Sequence, residues 1–512
     1  MKKQILNLLI VVSTVALIFS GCSDIDYPPR GVTIVDMDDD GVLNSVNSPS
    51  VDDRYRLKKF DLNEREFEWE AEADGNWLFI NGEWKIDVEL NSPQHYRIGI
   101  NAIALSGSPV VVASTSDENG NQVEHGAFYV IGGEESEQAG ENSFYFIEPV
   151  YLPKGNVELT FKVFRGNVRL DKVSVVNSSA ISPERFRHVS SSLSHPTSSI
   201  EALSLFQYLK LQFGSKVLTA QHCSANTNAE IDAVYAATGR YPAVRFGEAT
   251  GFFANPEPGF FPEVELAEKW HERGGIVAYS WMWGVDEDAF SLSEAVSSLE
   301  GSGVATMDLA YVEKLAQSGE VSHSCLQAIQ DIDRAAESLA TLGSKGIPVL
   351  WNPLPDSGSG LYWWGKLGGD SFVRLWRLMY ERMVDYHGLD NLIWIWSGGN
   401  YQYYPGDDTV DIIGESAFPG TAVGSEAVRL NYTAHYNTDT RVRKLAMITA
   451  SSSLPSPDVM ARDNAGWLIW ALYRGDYVID NRGEVAPEAV GMLDRFYNHE
   501  LTICLDGLPR LY

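Results

Sequence analysis

Basic residues are scarce in this sequence: 39 Lys and Arg stand against 69 Asp and Glu, a formal charge of −30, and no basic run interrupts the excess. A surface of that sign repels phosphate, which excludes nucleic acid and phosphate-rich ligands as partners. Cysteine is equally sparse, with four residues in 512. Three of them, Cys223, Cys325 and Cys504, lie far apart beyond the N-terminal leader. An odd, scattered set builds no disulfide framework, so the fold rests on its cores, and a 44% apolar content can supply them. Long apolar runs are missing too, apart from one near the N-terminus that is too short to span and anchor comfortably. Neither a metal nor a cofactor is expected from the motifs present.

That N-terminal run, "MKKQILNLLIVVSTVALIFSGCSD", carries two lysines, then apolar residues, then small residues just before Cys22. It reads as a secretion signal over 1–22 that ends in a lipobox, "FSGC", with Cys22 lipidated and holding the protein to a bacterial envelope membrane, facing periplasm or exterior. An ordinary cleaved signal with an incidental cysteine is the alternative. Residues 23–55, with "YPPRG", "DMDDDG" and "NSVNSPSVDD", are polar and turn-rich and read as a solvated linker. Over 56–178 short alternating runs such as "YRIGINAIAL", "PVVVASTS", "NVELTFKVF" and "NVRLDKVSVV" predict an all-β jelly-roll or sandwich domain. "VNSSAISPERFRHVSSSLSHPTSS" follows as a Ser/Pro-rich joint.

From 190 to 512 apolar strand-like runs alternate with helical stretches. The runs are "KVLTAQH", "YPAVRFGE", "GIVAYSWMW", "IPVLWNP", "LIWIWSG", "VDIIGES", "LAMITAS" and "WLIWALY". Eight strands with helices such as "FVRLWRLMYERMVDYHG" between them predict an α/β fold, a (β/α)8 TIM barrel whose active face lies at the strand C-terminal ends. A doubly wound open sheet is the competing arrangement.

On the barrel reading His222, Glu248, Trp281, Met282, Asp356, Trp396, Ser416, Phe418, Ala450 and Tyr473 gather at one rim. His222 alone fits a satisfied strand-end histidine as well as a ligand contact. Trp281, Trp283, Trp394 and Trp396 alternate along strands, so one of each pair is expected to pack outward against helices. Tyr362, Trp363 and Trp364 follow a Gly/Ser loop in "VLWNPLPDSGSGLYWWG", where an aromatic shelf suits a binding platform. Fourteen Trp and 23 Tyr favour a neutral ligand with flat C–H faces, as sugars have.

The series "LTAQH", "EIDAVYAATGRYPAVR", "GGIVAYSWMWGV", "GIPVLWNPL...YWWG", "YPGDDTVDIIGE" and "PDVMARDNAGWLIWALYRGDYVID" resembles glycoside hydrolase family 26, the retaining β-mannanases and their relatives. The likeness covers nearly all of the barrel in the right order. The "EWEAEADG" and "NVRLDKVSV" segments are similar to carbohydrate-binding module family 35. The resemblance implies a β-linked polysaccharide as partner, mannan or a related hemicellulose, bound by His222, Trp281, Tyr362, Trp363, Trp364, Trp396 and Tyr473. It also exposes departures. The family's general acid lies in an Arg-Pro-Leu-His-Glu type run, matched here by Asn352-Pro353-Leu354-Pro355-Asp356. Its nucleophile lies in a Ser/Thr-Glu run, matched by Thr449-Ala450. The tyrosine that orients the nucleophile matches Phe418, a strand-three histidine matches Met282, and a strand-eight tryptophan matches Tyr473. A retaining mechanism needs both carboxyls, so the expectation is a mannan-binding lipoprotein on an impaired mannanase barrel. The rivals are an active endo-β-1,4-mannanase or related glycosidase, with Glu415 or Glu248 as stand-in carboxylate, and a scaffold whose aromatic shelf meets a protein.

Overall fold

The computed structural model describes residues 33–37, 43–47, 55–57, 78–80 and 83–511, the last range without 107–108, 117–121, 131–142, 148, 165–166, 181–185, 187–188, 254–261, 288, 299–302, 399–400 and 419–443. The leader with Cys22 and the "EWEAEADG" segment lie outside the described residues. The chain divides into two compact units, Met1–Val111 with Val130–Ser179, and Val112–Tyr129 with Ala180–Tyr512.

The first unit is built of antiparallel strands. In Glu83–Leu90 inward and outward residues alternate, which buries Trp84, Ile86, Val88 and Leu90. This strand pairs with Gly155–Phe164, where Phe161 stands opposite Trp84 with ring centroids 5.1 Å apart. A second sheet sets Gln94–Ser106 between Asn167–Asn177 and Val150–Leu152. The linker expected over 23–55 is not all linker. Thr33–Met37 pairs antiparallel with Asn167–Asn177 and with Leu43–Asn47.

The second unit contains eight parallel strands: β1 Val217–His222, β2 Val244–Glu248, β3 Ile276–Trp281, β4 Val349–Pro353, β5 Leu392–Trp396, β6 Ile412–Ala417, β7 Leu445–Ser451 and β8 Ile469–Leu472. Each pairs with the next, and β1 pairs with both β8 and β2, so the sheet closes on itself. Closure rules out the doubly wound alternative. Thr502–Ile503 adds a short strand beside β1. Nearly every strand residue is buried, as expected of parallel strands covered on both faces.

The helices follow their apolar stripes. Gly369–Glu381 buries Phe372, Leu375, Trp376, Leu378 and Met379 and continues as a π-turn over Arg382–Tyr386. The extra residue in that turn brings Arg382 inward, where it grips Asp333 with two bonds of 2.6 and 2.8 Å while His387 meets the same carboxylate at 2.7 Å. Two described residues of the joint pack into the second unit. Phe186 fills the space that a Cβ at Gly214 or Gly466 would occupy, 2.3 and 2.4 Å from its ring. Further along, Ser194 N donates to the buried Asp411 at 2.5 Å. Beneath the rim, β2 holds a fully buried ion pair, Arg245 to Glu263 at 2.6 Å, and Gly247 leaves room for it because a Cβ there would lie 2.5 Å from the Glu263 carboxylate.

Candidate functional site

The C-terminal ends of the eight strands form the rim. At the end of β4 the chain turns through Leu354 (φ 51°) and Asp356 (φ 54°), both left-handed. Neither residue adopts that conformation readily. Neighbouring groups hold it: Leu354 N donates to Trp281 O at 3.2 Å and Asp356 N to Ser397 O at 2.6 Å. Trp364 Nε1 donates to Pro355 O at 3.1 Å. The turn aims the Asp356 carboxylate toward β6, where Ser416 Oγ donates to its Oδ1 at 2.5 Å.

Ser416 stands opposite Ala450 in the β6–β7 register, just past a shift between Glu415 and Ser416. Asp356, Ser416 and Ala450 therefore line up across the ends of β4, β6 and β7. Ala450 is half-buried, and the backbone before it is tied down twice. His222 Nε2 donates to Thr449 O at 2.6 Å, and Thr449 Oγ1 donates to Glu415 O at 3.1 Å. Glu415 itself is buried.

His222 stacks on Phe246 with centroids 4.3 Å apart and leans on Tyr473 at 5.1 Å. Burial pushes its imidazole down to about 4, and Arg474 adds to this while the Thr449 carbonyl opposes it. A folded-state value below the ordinary 6.5 means the unfolded chain binds the proton more readily as pH falls. The stability is thus fully present above pH 6.5 and is lost as pH drops toward 4. Chemical denaturation followed across this window should show the wild type losing roughly 3 kcal/mol more than a His222→Gln variant. His125, half-buried and also held at about 4, contributes equally to both proteins. Equal pH slopes would disprove this role for His222.

Glu248 at the end of β2 is buried and accepts from Met282 N at 3.3 Å and Thr250 N at 3.4 Å, while Arg474 Nη1 reaches it at 3.2 Å. Burial raises its carboxyl above the ordinary range, and Arg474 with the two backbone donors pulls it back. Tyr362 lies over Trp364, centroids 4.6 Å apart and rings nearly parallel. Burial first, then Asp356, Tyr473 and Glu248, push its phenol up to about 12. Tyr473 meets Phe418 edge-on at 5.4 Å, and Phe418 also touches Tyr477 at 5.8 Å.

The open aromatic shelf expected at Trp363 and Trp364 is not there. Trp363 is 8% exposed and Trp364 2%, and Trp363 Nε1 donates to Trp283 O at 2.7 Å. The loop before them folds back tightly, since a Cβ at Gly365 would sit 2.0 Å from Ser357 O, and this lays both indoles into the barrel wall. Trp281 is fully buried and stacked on Trp283 at 4.4 Å, and Trp396 is fully buried with its ring edge-on to Tyr404 at 5.2 Å. Trp283 and Trp394 are buried too, and Trp394 packs against Trp376 and Tyr380 of the helix Gly369–Glu381, centroids 5.7 and 4.9 Å apart, as expected of one member of its pair. Of the expected contacts, Tyr362 and Tyr473 keep partly open rings beside Asp356, Phe418 and Glu248. Ser416 as partner of Asp356, and Arg474 as partner of Glu248, were not foreseen. A polar residue near the end of β6 and an arginine two residues after β8 were the available signals. Among the described residues no group of three or more His, Cys, Asp or Glu could hold a metal ion.

The family model described as glycosyl hydrolase family 26 matches residues 194–506. The mannan endo-1,4-beta-mannosidase of Thermothelomyces thermophilus is 30% identical over 328 residues, covering 64% of this chain and 65% of that protein. Mannan endo-1,4-beta-mannosidase A of a Piromyces species is 26% identical over 382 residues, covering 70% and 57%. The chain thus spans a little under two thirds of the length of these curated relatives. Among solved structures, the Podospora anserina GH26-CBM35 beta-(1,4)-mannanase superposes with a TM-score of 0.52 at 23% identity, over 94% of this chain and 99% of that one. A ruminal GH26 endo-beta-1,4-mannanase gives 0.57 at 20% identity, over 88% and 95%. At those identities the two structures speak for the fold alone.

Proposed function

The chain belongs to glycosyl hydrolase family 26, and from that membership we propose that it binds a β-linked mannan or related hemicellulose at the barrel mouth without cleaving it efficiently. The observation that carries the reading is the line Asp356, Ser416, Ala450. On the family resemblance Ala450 holds the nucleophile position, where a retaining mechanism needs a carboxylate, and Asp356, at the acid position, accepts from Ser416 Oγ. Support for the ligand comes from relatives named as mannan endo-1,4-beta-mannosidases and from the half-open rings of Tyr362, Tyr473 and Phe418. A carbohydrate-binding role for the N-terminal strands belongs to the same proposal and rests on the resemblance carried by "NVRLDKVSV".

Titration calorimetry with mannohexaose on the full chain tests this reading. Tyr362→Ala should weaken binding by roughly 1–2 kcal/mol, the worth of one ring face against a sugar, whereas unchanged affinity with an intact fold would remove Tyr362 from the site. The lipid anchor belongs to the same proposal and rests on "FSGC". Cys22→Ala should move the protein from the membrane fraction to the soluble one. A variant that stays with the membrane sinks that part.

A further inference from the structure

We propose that the barrel carries a second glycan site away from its mouth, on the open face of Tyr235, which takes a neutral β-linked polysaccharide. The ligand class rests on the reading of the mouth given above, whereas the site rests on a ladder of flat groups which that reading does not use. The helix Ala229–Thr238 ends at Gly239, whose left-handed φ of 71° reverses the chain and whose amide donates to Tyr235 O at 2.8 Å. The reversal lays Tyr241 against Tyr235, ring centroids 4.2 Å apart and planes within 13°. Arg273 lies over Tyr241, its guanidinium carbon 4.0 Å from the ring centre, and Trp270 meets Tyr241 edge-on at 6.1 Å. The ladder is held from several sides. Leu505 N donates to Tyr241 O at 3.0 Å, the neighbouring Arg240 holds Asp506 at 2.7 Å, and a Cβ at Gly275 would sit 2.2 Å from the Trp270 indole. Tyr241 lies just before β2, and Trp270 and Arg273 just before β3, so the ladder belongs to the end of the barrel opposite the mouth.

What the ladder leaves unused defines the ligand. Tyr235 is 44% exposed although Tyr241 covers one of its faces, so its other face is open. Asp232, one helical turn earlier on the same side, is exposed and its carboxylate accepts no hydrogen bond from another described residue. Arg273 is exposed as well and has no acidic partner among the described residues, in a chain with 69 Asp and Glu. An open ring takes the C–H face of a pyranose, a carboxylate accepts from its hydroxyls, and a guanidinium donates to them. Charges of both signs at one platform suit a neutral polyol, and the net charge of −30 repels an anion. Area argues against a protein partner: the ring is bordered along its helix by the exposed Asp232 and Gly239, while a stable interface covers about 800 Å² on each side. A sugar needs only the ring. Two sites at opposite ends of one barrel matter most on a polymer, where the first engagement raises the effective concentration for the second.

The test follows depletion of the full chain onto insoluble β-mannan, beside calorimetry with mannohexaose. Tyr235→Ala should lower the partition onto insoluble mannan at least about tenfold, a modest share of what linked engagement adds, and leave the mannohexaose affinity that depends on Tyr362 unchanged. Tyr235→Phe, which keeps the ring, should partition as wild type does. Wild-type partition by Tyr235→Ala overturns the second site and leaves the mouth standing. A Tyr235→Phe variant that falls as far as Tyr235→Ala also overturns it, and so does an altered oligomeric state of Tyr235→Ala, which would make the ladder a contact between copies. Tyr235-dependent binding to insoluble mannan without any binding of mannohexaose keeps this site and removes the mouth. Binding of neither brings down both.

Discussion

The purified full chain should release reducing ends from β-1,4-mannan at least about 10³-fold more slowly than an active family member, because catalytic groups that act as a unit fail together. The geometry says why a shifted loop does not rescue the reaction. Asp356 is one methylene shorter than glutamate and is held at both ends, by Ser397 through its amide at 2.6 Å and by Ser416 through its carboxylate at 2.5 Å. Moving it toward a glycosidic oxygen breaks one of these bonds. Glu248, one of the two other acidic side chains named at this end of the barrel, is tethered to Arg474 and two backbone amides, so recruiting it as nucleophile would strand those donors. Reducing-sugar assays with product-length analysis measure the rate. Robust turnover that disappears in Asp356→Asn, Glu248→Gln or Glu415→Gln would replace the impaired reading with an active glycosidase.

The barrel was legible because its strands are short apolar runs, as parallel strands buried on both faces need, and five of the eight end in a polar or aromatic residue: His222, Glu248, Trp281, Trp396 and Ser451. "KVLTAQH" and "LAMITAS" end within a residue of β1 and β7. The rim was legible only as a set of positions. Which of them face one another depends on the register shift at Glu415/Ser416 and on two left-handed residues around Pro355, and neither leaves a local signature. Tryptophan misled for a different reason. Its size suits a sugar platform and a barrel wall equally, and the choice was made by how tightly the loop at Gly365 folds back and by the packing of Trp394 on Trp376 and Tyr380. The early strand pair was hidden by the acidic composition of 23–55, which reads as linker although Thr33–Met37 and Leu43–Asn47 pair.

Rebuilding the missing groups tests the assignment of positions most directly. Asp356→Glu alone should change little, since Ala450 still offers no nucleophile and Pro355 no imidazole. Ala450→Glu places a carboxylate opposite Ser416 in register, on a backbone held by His222 through Thr449. Phe418→Tyr then adds a hydroxyl to a ring that already packs against Tyr473 at the same rim. The triple variant should hydrolyse mannan on the order of 10²-fold faster than wild type, the scale at which bringing a group into position acts. It should remain well below an active enzyme, because Asn352 is occupied by Ser397 at 2.9 Å and the Met282 amide is committed to Glu248. Two controls make a null result informative: an unchanged melting transition and unchanged mannohexaose affinity. If both hold and the triple variant gains nothing over wild type, the carboxylates have been placed at the wrong positions, and the functional reading loses the observation that carries it.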